Sequence, residues 1–122
     1  MIIGTGVDIV KVERFSAERS PRFIQRVFSM REQAYLAGKG AASMAGLFAA
    51  KEAVAKAIGT GFAGFFPCDI EILHDENGKP YVQLHGKAEG IIKKTTFGRC
   101  FSIHISISHS ATDAIAFAVL EV

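Results

Sequence analysis

Residues 41–58, AASMAGLFAAKEAVAKAI, constrain the fold most, because this proline-free segment reads as one long helix. Gly59 suits the left-handed position that ends a helix. On a helical wheel, large apolar side chains fall mostly on one side of this segment; they are Met44, Leu47, Phe48, Val54 and Ile58. A helix with one apolar side must pack on another element, and the neighbouring patterns predict that this element is a sheet.

Short strands and helices account for the rest of the chain. Ser20-Pro21 and the SMRE sequence from Ser29 are typical helix starts. The segment 113–120 is apolar on both faces, which predicts a central strand, with 101–109 beside it and also interior. The predicted strands are 2–10, 69–75, 79–85, 101–109 and 113–120. Residues 11–28 are predicted to form two short helices divided at Ser20-Pro21, and further short helices are predicted to begin at Ser29 and Lys87. We therefore expect one α+β domain over residues 1–122, with one long helix packed on an antiparallel sheet.

The composition is that of an ordinary globular domain. Apolar residues make up 49% of the chain and charged residues 21%. The net charge of +2 gives no reason to expect nucleic acid as a partner. Cys68 and Cys100 lack metal-site spacing, so we expect reduced core thiols in a cytoplasmic protein. No apolar run is long enough to predict a membrane span or a secretion signal.

Positive charge is concentrated near the start of the chain. Residues 11–32 contain six basic residues against the three acidic residues Glu13, Glu18 and Glu32. The basic residues are Lys11, Arg14, Arg19, Arg22, Arg26 and Arg31. This pattern fits either a solvated helix surface or a docking site for an acidic partner.

Two charged residues lie where the apolar pattern does not predict them. Asp8 shares a strand face with Gly4 and Gly6, which we expect to leave space above the backbone. Lys51 falls in the middle of the apolar side of the long helix, so an anion, either a carboxylate or a phosphate, is expected to meet it.

Glu52 and Lys56 lie at the edge of the same apolar side, next to Ala45, Ala49 and Ala53. Their spacing suits either a surface ion pair or a face that meets a ligand.

The strand FSIHISISH, residues 101–109, alternates strictly. Its polar face carries Ser102, His104, Ser106 and Ser108, and a histidine there can contact a phosphate or accept a proton. A half-exposed strand with polar residues outward fits equally well. His109 falls on the apolar face, where a core histidine is the expected role.

Three motifs in order resemble holo-[acyl-carrier-protein] synthase, the small bacterial branch of the 4′-phosphopantetheinyl transferases. They are GVDI around Asp8 with Arg14, FAAKEAVAKAIGTG over residues 48–61, and HISISH over residues 104–109. The resemblance covers essentially the whole chain. It implies transfer of the phosphopantetheine arm of coenzyme A to a serine of acyl carrier protein, and a homotrimer with active sites between subunits.

The resemblance also assigns roles to residues. It implies a magnesium ion held by Asp8 and Glu52, with Lys56 at the pyrophosphate and His104 as a base or a phosphate contact. Magnesium takes oxygen ligands and tolerates one or two carboxylates, which agrees with this set. Further expected contacts to coenzyme A are Lys51, Gly59, Thr60 and Ser106. The expected contacts to the acidic carrier protein are Arg14, which matches a family position, and Arg22 and Arg26, which are inferred from their spacing alone.

Two positions depart from the family pattern. Leu47 stands where many relatives have an arginine, so one phosphate contact is either missing or supplied elsewhere. Val10 stands where larger transferases have a third carboxylate. Because of Leu47, a catalytically inactive carrier-binding trimer stands as an alternative. A metal-dependent hydrolase of coenzyme A or a related nucleotide is a third hypothesis.

Overall fold

The computed structural model describes residues 1–17 and 19–122, so Glu18 of the basic segment lies outside the described residues. The strands are β1 (Ile2–Lys11), β2 (Ile70–His74), β3 (Pro80–Leu84), β4 (Ser102–His109) and β5 (Asp113–Glu121). The helices are α1 (Pro21–Val27), α2 (Met30–Leu36), α3 (Ala41–Ile58) and α4 (Gly86–Thr95). The α+β fold is confirmed, with each predicted strand and helix of 20–122 within two residues of its expected bounds.

The helix ends lie where the local sequence signals predicted them. The Ser20 hydroxyl accepts a hydrogen bond from the amide of Phe23 at 3.2 Å. Ser29 and Glu32 form a reciprocal capping box, with bonds of 3.2 and 2.9 Å. Gly59 ends α3 with φ of 99°. Between β1 and Ser20, the described residues form a 3₁₀ turn at Val12–Phe15 rather than the predicted helix.

The strands form two antiparallel sheets, one with the order β1-β5-β4 and one with β2 and β3. The central position predicted for β5 is confirmed. The interior position predicted for β4 is wrong, because β4 is an edge strand of the three-stranded sheet. β3 lies beside β4, but in the described part of the chain no backbone hydrogen bond joins them.

Helix α3 packs unusually close to β1. A Cβ on Gly4 would lie 1.9 Å from the carbonyl oxygen of Ala57, and one on Gly6 would lie 1.9 Å from that of Ala53. The two glycines therefore admit the helix backbone, and the expected ligand space beside them does not exist. The alanine flank of α3, expected to face a ligand, is buried instead.

The other face of the three-stranded sheet is exposed and apolar. Val7 and Ile9 on β1 are 52% and 66% exposed, and Ile115 and Phe117 lie beside them on β5.

Two residues that were predicted to lie in the core are exposed instead. They are His109 and Cys100, so the predictions of a core histidine and of a core thiol at these positions are wrong. Both cysteines are free. No helix within the described residues is long and apolar enough to cross a membrane.

Candidate active site

Asp8 and Lys56 meet where β1 crosses the C-terminal half of α3. The Lys56 ammonium donates to Asp8 Oδ1 at 3.1 Å and to the carbonyl oxygen of Val7 at 2.9 Å. The Asp8 side chain is 17% exposed, whereas that of Lys56 is 50% exposed. Lys56 thus pairs with Asp8 rather than forming the i,i+4 pair with Glu52 that its spacing allowed.

Glu52 lies one helical turn before Lys56 and is half-buried. Burial raises its pKa, and the nearby Asp8 carboxylate raises it further; the charges of Lys56 and Arg14 act in the opposite direction. Two carboxylates and a lysine therefore form one coupled cluster on the edge of α3.

The donor set of this cluster fits a magnesium ion. Asp8 and Glu52 supply carboxylate oxygens that repel each other, and a divalent cation between them would relieve that repulsion. No group of three or more metal-binding side chains occurs among residues 1–17 and 19–122. Magnesium needs only one or two protein carboxylates when water and phosphate oxygens complete its octahedron.

Lys51 does not reach this cluster, so its predicted contact with coenzyme A is wrong. Its side chain is 0% exposed, and its ammonium pairs with Glu32 Oε1 at 2.6 Å. The carbonyl oxygens of Ile70 and Pro67 accept further bonds at 2.5 and 3.1 Å. Of the two anions that the sequence allowed, the carboxylate is the partner.

His104 lies on the opposite, exposed face of the three-stranded sheet, together with Ser106. Its Nε2 is 2.7 Å from Glu121 Oε1 on β5. Because an ionised carboxylate only accepts hydrogen bonds, Nε2 is the donor in this contact. Within one chain, His104 and the Asp8–Glu52–Lys56 cluster therefore lie on opposite sides of the sheet.

Glu121 was not found from the sequence. It lies 17 positions after His104, and only the strand register, which pairs Ser102 with Glu121, places the two side chains together.

Gly59 and Thr60 follow α3 one turn after Lys56 and are exposed. The Thr60 hydroxyl donates to the carbonyl oxygen of Gly61 at 3.0 Å. Their predicted contact with coenzyme A stays a prediction.

The three predicted partner arginines lie on the surface around α1. The Arg14 guanidinium stacks over the Phe48 ring at 5.4 Å, and its charge acts on Glu52. Arg22 and Arg26 line a groove of about 540 Å³ whose apolar wall includes Phe23, Phe62 and Phe66. The groove therefore combines positive charge with exposed aromatic surface.

A second cleft, of about 190 Å³, lies between the start of α3 and the β3 end of the small sheet. Leu47, Pro80 and His109 line it, and so do the rings of Tyr35 and His74, which stack at 4.0 Å. The sequence alone does not indicate this cleft, because its walls come from segments far apart in the chain.

Comparison with known proteins agrees with the motifs. Residues 4–116 match the model of the 4′-phosphopantetheinyl transferase superfamily. The holo-[acyl-carrier-protein] synthase of Clostridium beijerinckii is 48% identical over 99% of this chain and 98% of its own length. That of Alkaliphilus metalliredigens is 46% identical over 98% of each chain.

Solved structures give the same result. The holo-[acyl-carrier-protein] synthase of Neisseria meningitidis superposes with a TM-score of 0.85 at 34% identity, covering 100% of both chains. The Helicobacter pylori enzyme in complex with coenzyme A gives a TM-score of 0.81 at 30% identity, covering 96% of this chain and 99% of that one. The chain belongs to the 4′-phosphopantetheinyl transferase superfamily, in its holo-[acyl-carrier-protein] synthase branch.

Proposed function

We propose that this protein transfers the 4′-phosphopantetheine arm of coenzyme A to a serine of apo acyl carrier protein, with magnesium, as a step that serves fatty acid biosynthesis. The observation that carries the proposal is the Asp8–Glu52–Lys56 cluster, in a chain of this family. Its two carboxylates suit a magnesium ion, and its exposed ammonium suits a pyrophosphate.

In the reaction, the serine oxygen of the carrier attacks the phosphorus that bears the pantetheine arm. The bond from that phosphorus to the bridging oxygen breaks, and adenosine 3′,5′-bisphosphate leaves. Magnesium, when bound, neutralises charge on the pyrophosphate. Asp8 and Glu52 are the residues that would hold it.

Lys56 is half-exposed and held by β1, so its ammonium can donate to a phosphate oxygen while keeping its bond to Val7. Two groups are candidates to take the serine proton. His104 can accept it through Nδ1 when its ring is neutral, and a water activated by Glu52 is the second candidate.

The placement of His104 supports an active site built from two subunits of a homotrimer. His104 and Asp8 lie on opposite faces of one sheet, and the face that carries His104 also exposes Val7, Ile9 and Phe117. An apolar sheet face of this kind is typical of a subunit interface. We propose that the neighbouring subunit brings His104 and Ser106 to the Asp8 cluster.

The groove between Arg22 and Arg26 supports docking of an acidic carrier. Its aromatic wall offers contacts to apolar carrier side chains, and Arg14 extends the positive surface to Glu52. Electrostatic docking would speed association and weaken with salt. Free cysteines and coenzyme A as a substrate fit a cytoplasmic location.

We propose that the second cleft binds the nucleotide end of coenzyme A. Leu47, at the position of the family arginine, is 2% exposed in its wall and offers no charge to a phosphate. His109 lines the same cleft and is exposed, so we propose that it supplies the contact that Leu47 lacks.

The test is intact-mass spectrometry of apo acyl carrier protein incubated with this protein, coenzyme A and magnesium. A mass gain of one phosphopantetheine arm, lost with EDTA, is expected. Glu52→Gln should lower the rate at least about a hundredfold, whereas Glu76→Gln, an equal change in an exposed turn, should not.

Two outcomes would replace the proposal. Tight carrier binding with no mass gain would indicate a catalytically inactive binding module. Release of adenosine 3′,5′-bisphosphate without any carrier would indicate a hydrolase of coenzyme A.

A further inference from the structure

The turn that follows α4 carries the most exposed large apolar side chain in the described part of the chain. Phe97 is 89% exposed, and its φ of 55° makes it the one residue other than glycine among residues 1–17 and 19–122 with a positive φ. A bulky side chain in the left-handed region costs free energy, and an exposed ring gains little packing within the chain to offset that cost. The conformation of Phe97 therefore points to a partner outside the chain.

Backbone hydrogen bonds fix the conformation of this turn. The amide of Gly98 donates to the carbonyl oxygen of Lys93 at 2.8 Å. The amide of Phe97 donates to the carbonyl oxygen of Lys94 at 3.2 Å. The two bonds form a Schellman motif, whose left-handed residue is usually glycine or asparagine. Since Thr96, directly before the ring, is buried, Phe97 projects into solvent from a well-anchored backbone.

The surface around Phe97 is positively charged. Residues 90–112 contain no aspartate or glutamate, whereas Lys93, Lys94 and Arg99 lie in this segment and are all exposed. In the part of the chain that the structure describes, none of these three cations forms a salt bridge. The two lysines also complement the negative end of the α4 dipole, but Arg99 lies beyond the helix. The turn thus combines one exposed aromatic ring with several unpaired cations.

The surroundings of Phe97 suit a lipid surface better than a protein partner. Anchor residues of protein–protein interfaces sit in packed pockets with other contacts around them. Gly98 and Arg99, next to the ring, offer no apolar contacts, and Lys87 and Lys94, two turns apart on one side of α4, are both exposed. The headgroup layer of a bilayer accepts a single aromatic ring, and its anionic phosphates attract lysine and arginine.

We propose that Lys94, Phe97 and Arg99 form a peripheral docking surface for a membrane rich in anionic lipids, with the Phe97 ring inserted at the level of the headgroups. The inference goes beyond the proposed transfer reaction and involves no membrane span. In the proposed homotrimer, cyclic symmetry repeats the surface three times at one height along the axis, so that three weak contacts act together.

The test uses variants that keep the turn. Phe97→Asn removes the ring, and asparagine tolerates the left-handed conformation. Lys94→Gln and Arg99→Gln each remove one charge. Met30→Asn, at a side chain that is 80% exposed, and Lys79→Gln, at an exposed lysine beside the β2–β3 turn, are the matched controls. Circular dichroism and size-exclusion chromatography confirm that each variant is folded and assembled.

Vesicle flotation of the whole protein measures the Kd for vesicles with equal parts of phosphatidylglycerol and phosphatidylcholine. Binding is expected to these vesicles but not to phosphatidylcholine alone, and roughly 0.5 M sodium chloride should abolish it. Phe97→Asn should raise the Kd at least about tenfold. Lys94→Gln and Arg99→Gln should each raise it about fivefold. The two controls should bind as the wild type does, and every variant should transfer the arm at the wild-type rate in vesicle-free solution.

A fluorescent reporter tests insertion of the ring directly. The chain contains no tryptophan, so Phe97→Trp introduces a single indole. Its emission should be that of an exposed indole in solution and should shift to shorter wavelength when the anionic vesicles are added. Tyr81→Trp, at a position that is 46% exposed on β3, should show no shift.

Four results would overturn the inference. The first is no binding, or equal binding to the anionic and the neutral vesicles. The second is an unchanged Kd for Phe97→Asn. The third is a Phe97→Trp emission that already shows a buried indole without vesicles, which would mean that the ring contacts a neighbouring subunit. The fourth is slower transfer by Phe97→Asn in vesicle-free solution with unchanged vesicle binding, which would assign the surface to the carrier protein.

Discussion

Lys51 and Glu32 form an ion pair with no exposure to solvent on either side chain. Burial lowers the pKa of Lys51, and the charge of Glu32 partly offsets this effect. The Glu32 carboxylate also accepts the amides of Ser29 and Ile72, both at 2.9 Å. The pair therefore links α2 and β2 to α3, the helix that carries Glu52 and Lys56.

Replacing Lys51 with methionine should cost about 3–5 kcal/mol of unfolding free energy, because it leaves a buried carboxylate unpaired. Adding Glu32→Gln should restore about half of that loss. Urea denaturation at a fixed protein concentration measures both effects. A folded Lys51→Met variant of unchanged stability that has lost only coenzyme A binding would contradict the structural role given to Lys51.

Glu71 is a second buried carboxylate with several donors. Burial alone would raise its pKa, but hydrogen bonds from Ser29, Arg31 and His85, with the charge of Arg31, lower it to about 2. Since the folded-state pKa is the lower one, the stabilisation is complete above the unfolded value of about 4.3 and is lost as pH falls towards 2.

The corresponding prediction concerns acid unfolding. The difference between the two pKa values corresponds to at most about 3 kcal/mol. Glu71→Gln should therefore be less stable than the wild type at pH 7, and the gap should narrow between pH 4.3 and 2. Urea midpoints measured across this range test it, and a gap that is constant with pH would rule out the linkage.

At the scale of the secondary-structure elements, the packing of α3 on β1 depends on Gly4 and Gly6. A methyl group on Gly6 would overlap the Ala53 carbonyl, so the helix would have to move away from the strand that carries Asp8. Gly6→Ala should cost at least about 3 kcal/mol and reduce transfer. Gly90→Ala is the control, because Gly90 lies within α4 with open space around it, and alanine there should stabilise by about 0.5–1 kcal/mol. Thermal melting distinguishes the two.

Elements whose signals are local were predictable from the sequence. The Ser29 capping box and the Gly59 end of α3 depend on residues within one helical turn, and both formed as expected. The edge position of β4 was not predictable, because strand order depends on pairing between distant segments. Lys51 shows the same limit. Its position in the apolar pattern required an anion nearby, but the pattern could not identify Glu32, which lies 19 positions away.

The candidate site was predictable only in part. The motifs identified Asp8, Glu52 and Lys56, which the structure brings together. The sequence also suggested free space beside Gly4 and Gly6, yet the helix backbone fills it. A glycine that admits a ligand and a glycine that admits a helix have the same sequence signature, and only the packed elements distinguish them.

At the scale of the whole molecule, the sheet separates the two halves of the proposed site. Asp8 faces α3, whereas His104 lies on the exposed face with Phe117. If a neighbouring subunit supplies His104, each active site takes Glu52 from one chain and His104 from another. Either Glu52→Gln or His104→Ala then inactivates the site. Variants that are each inactive alone should then complement one another in mixed trimers.

Unfolding an equal mixture of Glu52→Gln and His104→Ala and refolding it together should restore about one quarter of the wild-type sites. Random assembly gives each site a chance of one half for an intact Glu52 and one half for an intact His104. The carrier mass assay measures the restored rate, and mixing the variants without unfolding gives the baseline. Activity no greater than that baseline, with trimers present, would mean that both residues act within one chain, which the opposite orientation of Asp8 and His104 on this sheet argues against.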